Sequence, residues 1–102
     1  MGGSNSSDND VKAALKQPNR LVIDCRSPSE FSNGDGFAGA INIPVDLLES
    51  RLTEVQPKER TILTYCAAGA RAARAADILK AHGYMQVYST TNAAHIRNLL
   101  KS

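Results

Sequence analysis

Tryptophan is absent from this sequence, aromatic residues make up only 5% of it, and cysteine occurs only twice. Two cysteines cannot build the disulfide framework of a small secreted domain. Cys25 and Cys66 are 41 positions apart (66 − 25), which matches no paired metal-ligand spacing. The class of disulfide-stapled or cysteine-clustered metal proteins is therefore excluded, and each cysteine is judged by its own surroundings.

Long apolar runs and blocks of like charge are also missing. No segment approaches the roughly 20 apolar residues that a membrane span requires, and the N-terminus lacks the basic and apolar regions of a signal peptide. The net charge is only +2, and the basic residues are spread along the chain. We expect a cytoplasmic protein that binds neither membrane nor nucleic acid, although a targeting segment removed from the N-terminus would leave no trace here.

What remains is the composition of one ordinary globular domain. The chain has 102 residues, of which 42% are hydrophobic and 22% charged. Two separate cores would each be too small to be stable. Residues 1–7 are small and polar, which indicates an expression remnant or a disordered tail, and residues 8–102 are predicted to form a single domain.

The hydrophobic pattern predicts an α/β domain with a mainly parallel sheet, because short β-prone runs alternate with helical ones. Strands are predicted at 21–25, 40–44, 61–65 and 87–89. Helices are predicted from Asp8 or Asp10 as N-cap to about Lys16, then at 28–31, 46–55, 70–82 and 92–101.

Chemistry is indicated most clearly at Cys66, which follows directly on a predicted strand. The next four residues, 67–70, have almost no side chain, so their N–H groups can curl around the sulfur and bind negative charge. The helix that follows adds the positive end of its dipole, and Arg71 adds a full positive charge. All of these favour the thiolate, which is the nucleophilic form of cysteine.

The segment Cys66-Ala67-Ala68-Gly69-Ala70-Arg71 resembles the active-site signature of the single-domain rhodanese (thiosulfate sulfurtransferase) family: cysteine, two residues, glycine, one residue, arginine. Upstream, residues 21–31 resemble the family's strand-Asp-x-Arg-x-x-x-Glu-aromatic segment, and residues 39–44 follow at a suitable distance. Downstream, residues 75–84 resemble its helix ending in Gly-Tyr. The three motifs stand in the family's order and spacing, and together they cover residues 21 to about 90.

The resemblance implies a three-layer fold with a central, mainly parallel, five-stranded sheet flanked by helices. It also implies that Cys66 takes sulfur from a small anionic donor such as thiosulfate and passes it, as a persulfide, to cyanide or a thiol. The amides of Ala67, Ala68, Gly69 and Ala70 would stabilise the persulfide, and Arg71 would bind the donor. No metal or organic cofactor is required, and we expect a monomer.

Several neighbouring residues admit two interpretations. Arg71 could brace the loop by bonding local carbonyls instead of binding substrate. Arg74, one turn later, could be a second cation or a solvated helix residue. Asp24, Arg26 and Glu30 are better explained as an ion-paired scaffold, with Arg26 and Glu30 one turn apart, than as a catalytic acid and base.

The second cysteine and the two histidines are expected to lie outside the chemistry. Cys25 ends a buried strand, so packing is favoured over a redox or resolving role. His82 falls at a predicted helix end and His95 in the last helix, so neither is placed to act as a base for Cys66.

Two alternative functions were weighed against sulfur transfer by an enzyme. Dual-specificity phosphatases of the cell-cycle type, and related arsenate reductases, place five residues between cysteine and arginine, whereas this chain has four. Its loop therefore suits a single sulfur atom better than a phosphate oxyanion. A sulfur-relay module that hands a persulfide to a protein partner is also compatible. The chain departs from the family's pattern at 33–38, which has no histidine, and at 90–94, which lacks paired glycines.

Overall fold

The computed structural model describes residues 5–102 and has a parallel sheet at its centre. Its strands are β1 (Leu21–Asp24), β2 (Ile41–Asn42), β3 (Thr61–Tyr65) and β4 (Gln86–Ser89). They lie in the order β2-β1-β3-β4, and each adjacent pair is parallel. The helices are α1 (Asp8–Leu15), α2 (Pro28–Phe31), α3 (Ala70–Ala81) and α4 (Ala93–Lys101), with a 3-10 segment at Val45–Val55. The predicted α/β class is confirmed.

The strand count differs from the five that the resemblance implied, since the described residues form a sheet of four. At the outer edge of β4, the N–H of Ser6 donates to the carbonyl of Ser89 at 2.9 Å. The next residue, Ser7, already leaves the edge to cap α1, where its side chain accepts the N–H of Asp10. One backbone bond does not make a strand, and the cap of α1 is Ser7 rather than Asp8 or Asp10.

The predicted helix at 46–55 is a run of 3-10 turns, interrupted at Arg51 where φ is −124°. Only Val45, Leu48 and Val55 of this segment are buried. Such a sparse apolar set holds short turns against the core but does not enforce a continuous α-helix.

Side chains of the two central strands alternate between two cores, as the period of a strand requires. On one face Ile23, Ile62 and Cys66 pack against α3 and the 3-10 segment. On the other face Leu63 and Tyr65 pack with residues of α1 and α4. Each large buried side chain stabilises the fold by about 1.5–3 kcal/mol. The alternation sends Tyr65 and Cys66, neighbours in sequence, to opposite faces at the carboxyl edge of the sheet.

Helix α3 lies close to the sheet because its inner face is alanine. Ala72, Ala75 and Ala76 are nearly inaccessible to solvent. The buried hydroxyl of Thr64 donates to the carbonyl of Ala72 at 2.9 Å, which ties the start of α3 to β3. The segment between them, 66–69, is therefore held at both ends. Within residues 5–102, no helix is both long and apolar enough to cross a membrane.

Candidate active site

Two backbone N–H groups point at the sulfur of Cys66. The N–H of Gly69 lies 3.0 Å from Sγ and that of Ala72 lies 3.4 Å from it. The thiol in turn faces the carbonyl oxygen of Thr91 at 4.0 Å. The N–H groups expected around the sulfur from residues 67–70 therefore include that of Gly69. A further N–H comes from Ala72, in the first turn of α3.

Gly69 makes this geometry accessible because its backbone is left-handed, with φ of +105°. A Cβ at this position would lie 2.6 Å from the side-chain nitrogen of Asn5. Residues with side chains adopt this conformation only at a cost of about 1–2 kcal/mol. The left-handed turn folds the Gly69 N–H back towards Cys66 and starts α3 directly afterwards.

The loop shifts the ionisation of Cys66 towards the thiolate. Burial alone raises the pKa of a thiol, because a charge loses its hydration. The N–H groups of Ala72, Ala68, Gly69 and Arg71 outweigh that effect, so the pKa of Cys66 lies below its ordinary value. The site thus holds a nucleophile in a largely buried position, where the residue is 2% exposed.

Arg71 is held by a carboxylate on α2. Its Nη1 donates to Glu30 Oε1 at 2.8 Å and its Nη2 donates to Oε2 at 3.1 Å. Glu30 also accepts the N–H of Ser27 at 3.0 Å, as part of the capping box of α2. The hydrogen bonds from Arg71 are the main reason that the pKa of Glu30 falls to about 2. Arg71 is therefore paired with a carboxylate rather than with local carbonyls, and it also interacts with the sulfur of Cys66.

Arg26 forms the buried ion pair of the site, with partners other than the expected Glu30. Its Nε and Nη2 donate to the Asp24 carboxylate at 2.8–3.1 Å, and its Nη1 donates to Asp35 at 3.1 Å. Asp24 is wholly buried. The hydrogen bond to Asp24 raises the pKa of Arg26 above its ordinary value. The scaffold role is supported, but Glu30 belongs to Arg71.

Tyr65 joins this network from the other side. Its hydroxyl donates to Asp24 Oδ2 at 2.8 Å and accepts the N–H of Phe37 at 2.9 Å. A Cβ on Gly36 would lie 2.9 Å from that oxygen, so the loop approaches Tyr65 closely. The segment 33–38, which lacks the family's histidine, is therefore anchored by a tyrosine. This role of Tyr65 was not predicted, although an aspartate at the end of a buried strand indicates that a polar partner must exist.

An open pocket of about 250 Å³ lies beside the thiol. It is lined by Arg26, Asp35, Cys66, Ala67, Asn92, Ala93, Ala94 and Arg97. Arg26, Cys66 and Ala67 were predicted from the sequence as candidate site residues, whereas Asn92 and Arg97 were not. A larger hollow of about 390 Å³ contains none of these residues and lies at the amino ends of β3 and β4.

The remaining candidates lie apart from this pocket. Arg74 pairs with Asp46 on the surface. Cys25 is 1% exposed. Burial, reinforced by the nearby Cys66 and Asp24, raises the pKa of its thiol to about 12. His82 contacts Glu49, and His95 contacts Asp8 at 2.8 Å. Among residues 5–102, no group of three or more His, Cys, Asp or Glu side chains is arranged to hold a metal ion.

Comparison with known proteins decides the family. The sequence profile of the rhodanese-like domain matches residues 7–93. The chain belongs to the rhodanese-like domain family. A solved structure described as a rhodanese with anions from E. coli is 32% identical, with a TM-score of 0.69 over 74% of this chain and 89% of that one.

Two curated relatives show the range of proteins that carry such a domain. A sulfurtransferase of Allochromatium vinosum is 36% identical over 66% of this chain and 61% of its own length. A tRNA uridine(34) hydroxylase of Buchnera aphidicola is 31% identical over 96% of this chain but only 35% of its own. The rhodanese-like chain described here thus spans about three fifths of the first relative and about a third of the second.

Proposed function

We propose that this rhodanese-like domain is a sulfurtransferase that moves sulfur from thiosulfate or a similar anionic donor to a thiol or cyanide. The observation that carries the proposal is the position of Cys66 Sγ, which receives N–H groups at 3.0 and 3.4 Å and borders the 250 Å³ pocket. A thiolate stabilised in this way is a ready nucleophile at neutral pH.

The reaction proceeds in two displacements. The Cys66 thiolate attacks the outer sulfur of thiosulfate, the sulfur–sulfur bond of the donor breaks, and its electron pair leaves with sulfite. Cys66 then carries one added sulfur as a persulfide anion. Cyanide or a thiolate attacks that outer sulfur, forms thiocyanate or a new persulfide, and restores the Cys66 thiolate. The loop amides stabilise negative charge at each stage without moving.

The compact loop supports sulfur rather than phosphate as the transferred group. Four residues separate Cys66 from Arg71. Two of the loop and helix N–H groups converge on the cysteine sulfur itself, and Arg71 is shared between Glu30 and that sulfur. A phosphate oxyanion needs several donors that are not already used in this way.

The sulfurtransferase of A. vinosum, at 36% identity, supports the same chemistry. Relay to a protein partner is the second candidate. This chain corresponds to only about a third of a tRNA uridine(34) hydroxylase, so a domain of this kind also occurs within larger proteins.

Mass spectrometry of the intact protein tests the proposal. Purified protein is incubated separately with thiosulfate, mercaptopyruvate and a phosphate ester, and we expect it to gain one sulfur atom from thiosulfate. Cys66→Ser should abolish that gain and the formation of thiocyanate from cyanide, whereas Cys25→Ser should retain both. Thiocyanate formation by Cys66→Ser at the parent rate, or turnover of the phosphate ester alone, would show the assignment to be wrong.

A further inference from the structure

The positive charges around the Cys66 pocket differ in how they are compensated. Arg26 is paired with two carboxylates, Asp24 and Asp35, which together exceed its single positive charge. Arg71 is paired with Glu30 and also interacts with the sulfur of Cys66. Arg97 also lines the pocket, yet no ion pair involves it within residues 5–102. Among the described residues that line the pocket, Arg97 of α4 is therefore the cation without a carboxylate partner.

The guanidinium of Arg97 is only loosely engaged. Its Nη1 donates to the carbonyl oxygens of Asp35 and Gly36 at 3.4 and 3.3 Å. Both distances exceed the 2.9–3.0 Å typical of N–H···O bonds, and neither acceptor carries a charge. A sulfonate or carboxylate would replace them with shorter, charge-assisted bonds to the same fork.

The surrounding wall suits an anion as well. Ala93 and Ala94 line the pocket and open helix α4, where backbone N–H groups are not used within the helix. Asn92 caps this end by accepting the N–H of His95 at 2.8 Å, so the orientation of the helix is fixed. The pocket volume of about 250 Å³ corresponds to roughly eight water molecules at ~30 Å³ each. A donor of the size of thiosulfate fits in that space.

We propose that Arg97 is the residue that binds the anionic end of the sulfur donor. In this arrangement Arg71 positions the loop through Glu30, and the donor enters from the α4 side with its charge on Arg97 and its outer sulfur towards Cys66. The site then selects small donors that end in a sulfonate or carboxylate over uncharged ones. The identity of the donor as a sulfur compound depends on the proposed function, whereas the preference for anions does not.

Alkylation of Cys66 tests the anion preference without any sulfur transfer. Iodoacetate is an anion and iodoacetamide is uncharged, but both react with the same thiolate. The rate constant for iodoacetate divided by that for iodoacetamide therefore reports how strongly the pocket attracts an anion. We expect Arg97→Gln to lower that ratio about tenfold, the worth of one charge-assisted hydrogen bond. The rate with iodoacetamide should stay within about twofold of the parent, since the thiolate itself is untouched.

Arg60→Gln is the matched control. Arg60 also donates to two backbone carbonyls, those of Asn19 and Gln56, but it precedes β3 whereas Cys66 follows it. Its substitution should leave the ratio unchanged. A parent ratio in Arg97→Gln would overturn the proposal. So would a fall in the ratio with Arg71→Gln that Arg97→Gln does not reproduce, because the anion would then be bound by Arg71.

Sulfur loading provides the second measurement. Arg97→Gln should raise the KM for thiosulfate about tenfold with little change in kcat, and Arg97→Lys should restore part of the loss because it keeps the charge. Loading from dimethyl trisulfide should be unaffected, because this donor is uncharged; it gives up its central sulfur to Cys66 with methanethiolate as the first leaving group, which then removes the remaining methylthio group as dimethyl disulfide. If the parent protein accepts sulfur from neither donor, the proposed function fails, and the alkylation ratio still decides the role of Arg97.

Discussion

The guanidinium of Arg71 and the carboxylate of Glu30 meet through two parallel hydrogen bonds, at 2.8 and 3.1 Å, that join the first turn of α3 to α2. Both side chains are about one-third exposed. The pair contributes little to stability under such screening. The pair matters more for the pKa of Cys66, because the negative charge of Glu30 offsets part of the positive charge that Arg71 exerts on the sulfur.

Glu30→Gln should therefore lower the pKa of Cys66 further. The amide keeps an oxygen for the N–H of Ser27 but removes the negative charge that balances Arg71. The pH at which iodoacetamide reaches half its maximal rate is expected to move downwards. Glu54→Gln, which discharges the exposed partner of Arg51, is the control and should leave the midpoint in place. A midpoint that stays or rises in Glu30→Gln would mean that Arg71 does not act on the sulfur.

Alanine substitutions at two glycines distinguish the cost of backbone strain from the role of the loop in holding Cys66. Gly69 and Gly39 both have left-handed backbones, with φ of +105° and +88°. Alanine at either position should cost roughly 1–2 kcal/mol of unfolding free energy, measured by urea denaturation. Only Gly69→Ala should also raise the pKa of Cys66 and slow its alkylation, because the N–H at 3.0 Å from Sγ is displaced. Equal alkylation profiles for the two variants would contradict the role of that N–H.

The hydroxyl of Tyr65 should be needed to hold the segment 33–38, which contributes Asp35 to the lining of the pocket. Tyr65→Phe leaves the buried Asp24 without one of its donors and Phe37 without an acceptor, at a cost of about 1–3 kcal/mol. We expect faster hydrogen exchange at the Phe37 amide. Tyr88→Phe, which loses only an exposed contact to Gln86, should change neither quantity. Unchanged exchange in Tyr65→Phe would show that the loop is held by other contacts.

Cys25 should make the protein sensitive to alkaline pH. Its thiol ionises at its ordinary value of 9.0 in the unfolded chain but at about 12 when buried. Between these values the unfolded state binds fewer protons, so the unfolding free energy falls as pH rises from about 9 to 12. The contribution is fully present below pH 9. Cys25→Ala should flatten this decline in urea titrations, whatever its effect at neutral pH; a slope identical to the parent's would contradict the assignment.

Local spacing was sufficient to predict those parts of the site whose partners are close in sequence. The predicted helix at 28–31 follows its cap Ser27 directly, and the N–H of Gly69, one of the residues 67–70 expected around the sulfur, comes three residues after Cys66. Such contacts follow from turn and helix geometry alone. For the same reason the α/β class, the strand at 61–65 and the helix at 70–81 could be predicted.

The missed parts depend on contacts between distant segments. Arg71 and Glu30 are 41 positions apart, and Arg97 lies 62 positions from the carbonyl of Asp35 that it contacts. No periodicity encodes such pairs, because each arises only where distant segments pack together: α3 against α2 for the first pair, and α4 against the loop at 33–38 for the second. The sheet has four strands rather than the five that the resemblance implies for a related reason: the chain at Ser6 makes one bond to β4, and Ser7 then caps α1.

Because Tyr65 and Cys66 point to opposite faces, the two sides of this edge of the sheet can be altered independently. On one face, the hydroxyl of Tyr65 bonds both Asp24 and the segment 33–38. On the other face, the first turn of α3 binds the sulfur of Cys66. The segment 33–38 could be exchanged for the corresponding stretch of a relative with Asp24 and Tyr65 as fixed attachment points. A library of such grafts would vary which sulfur-accepting molecules reach Cys66, while Cys66 itself is left unaltered.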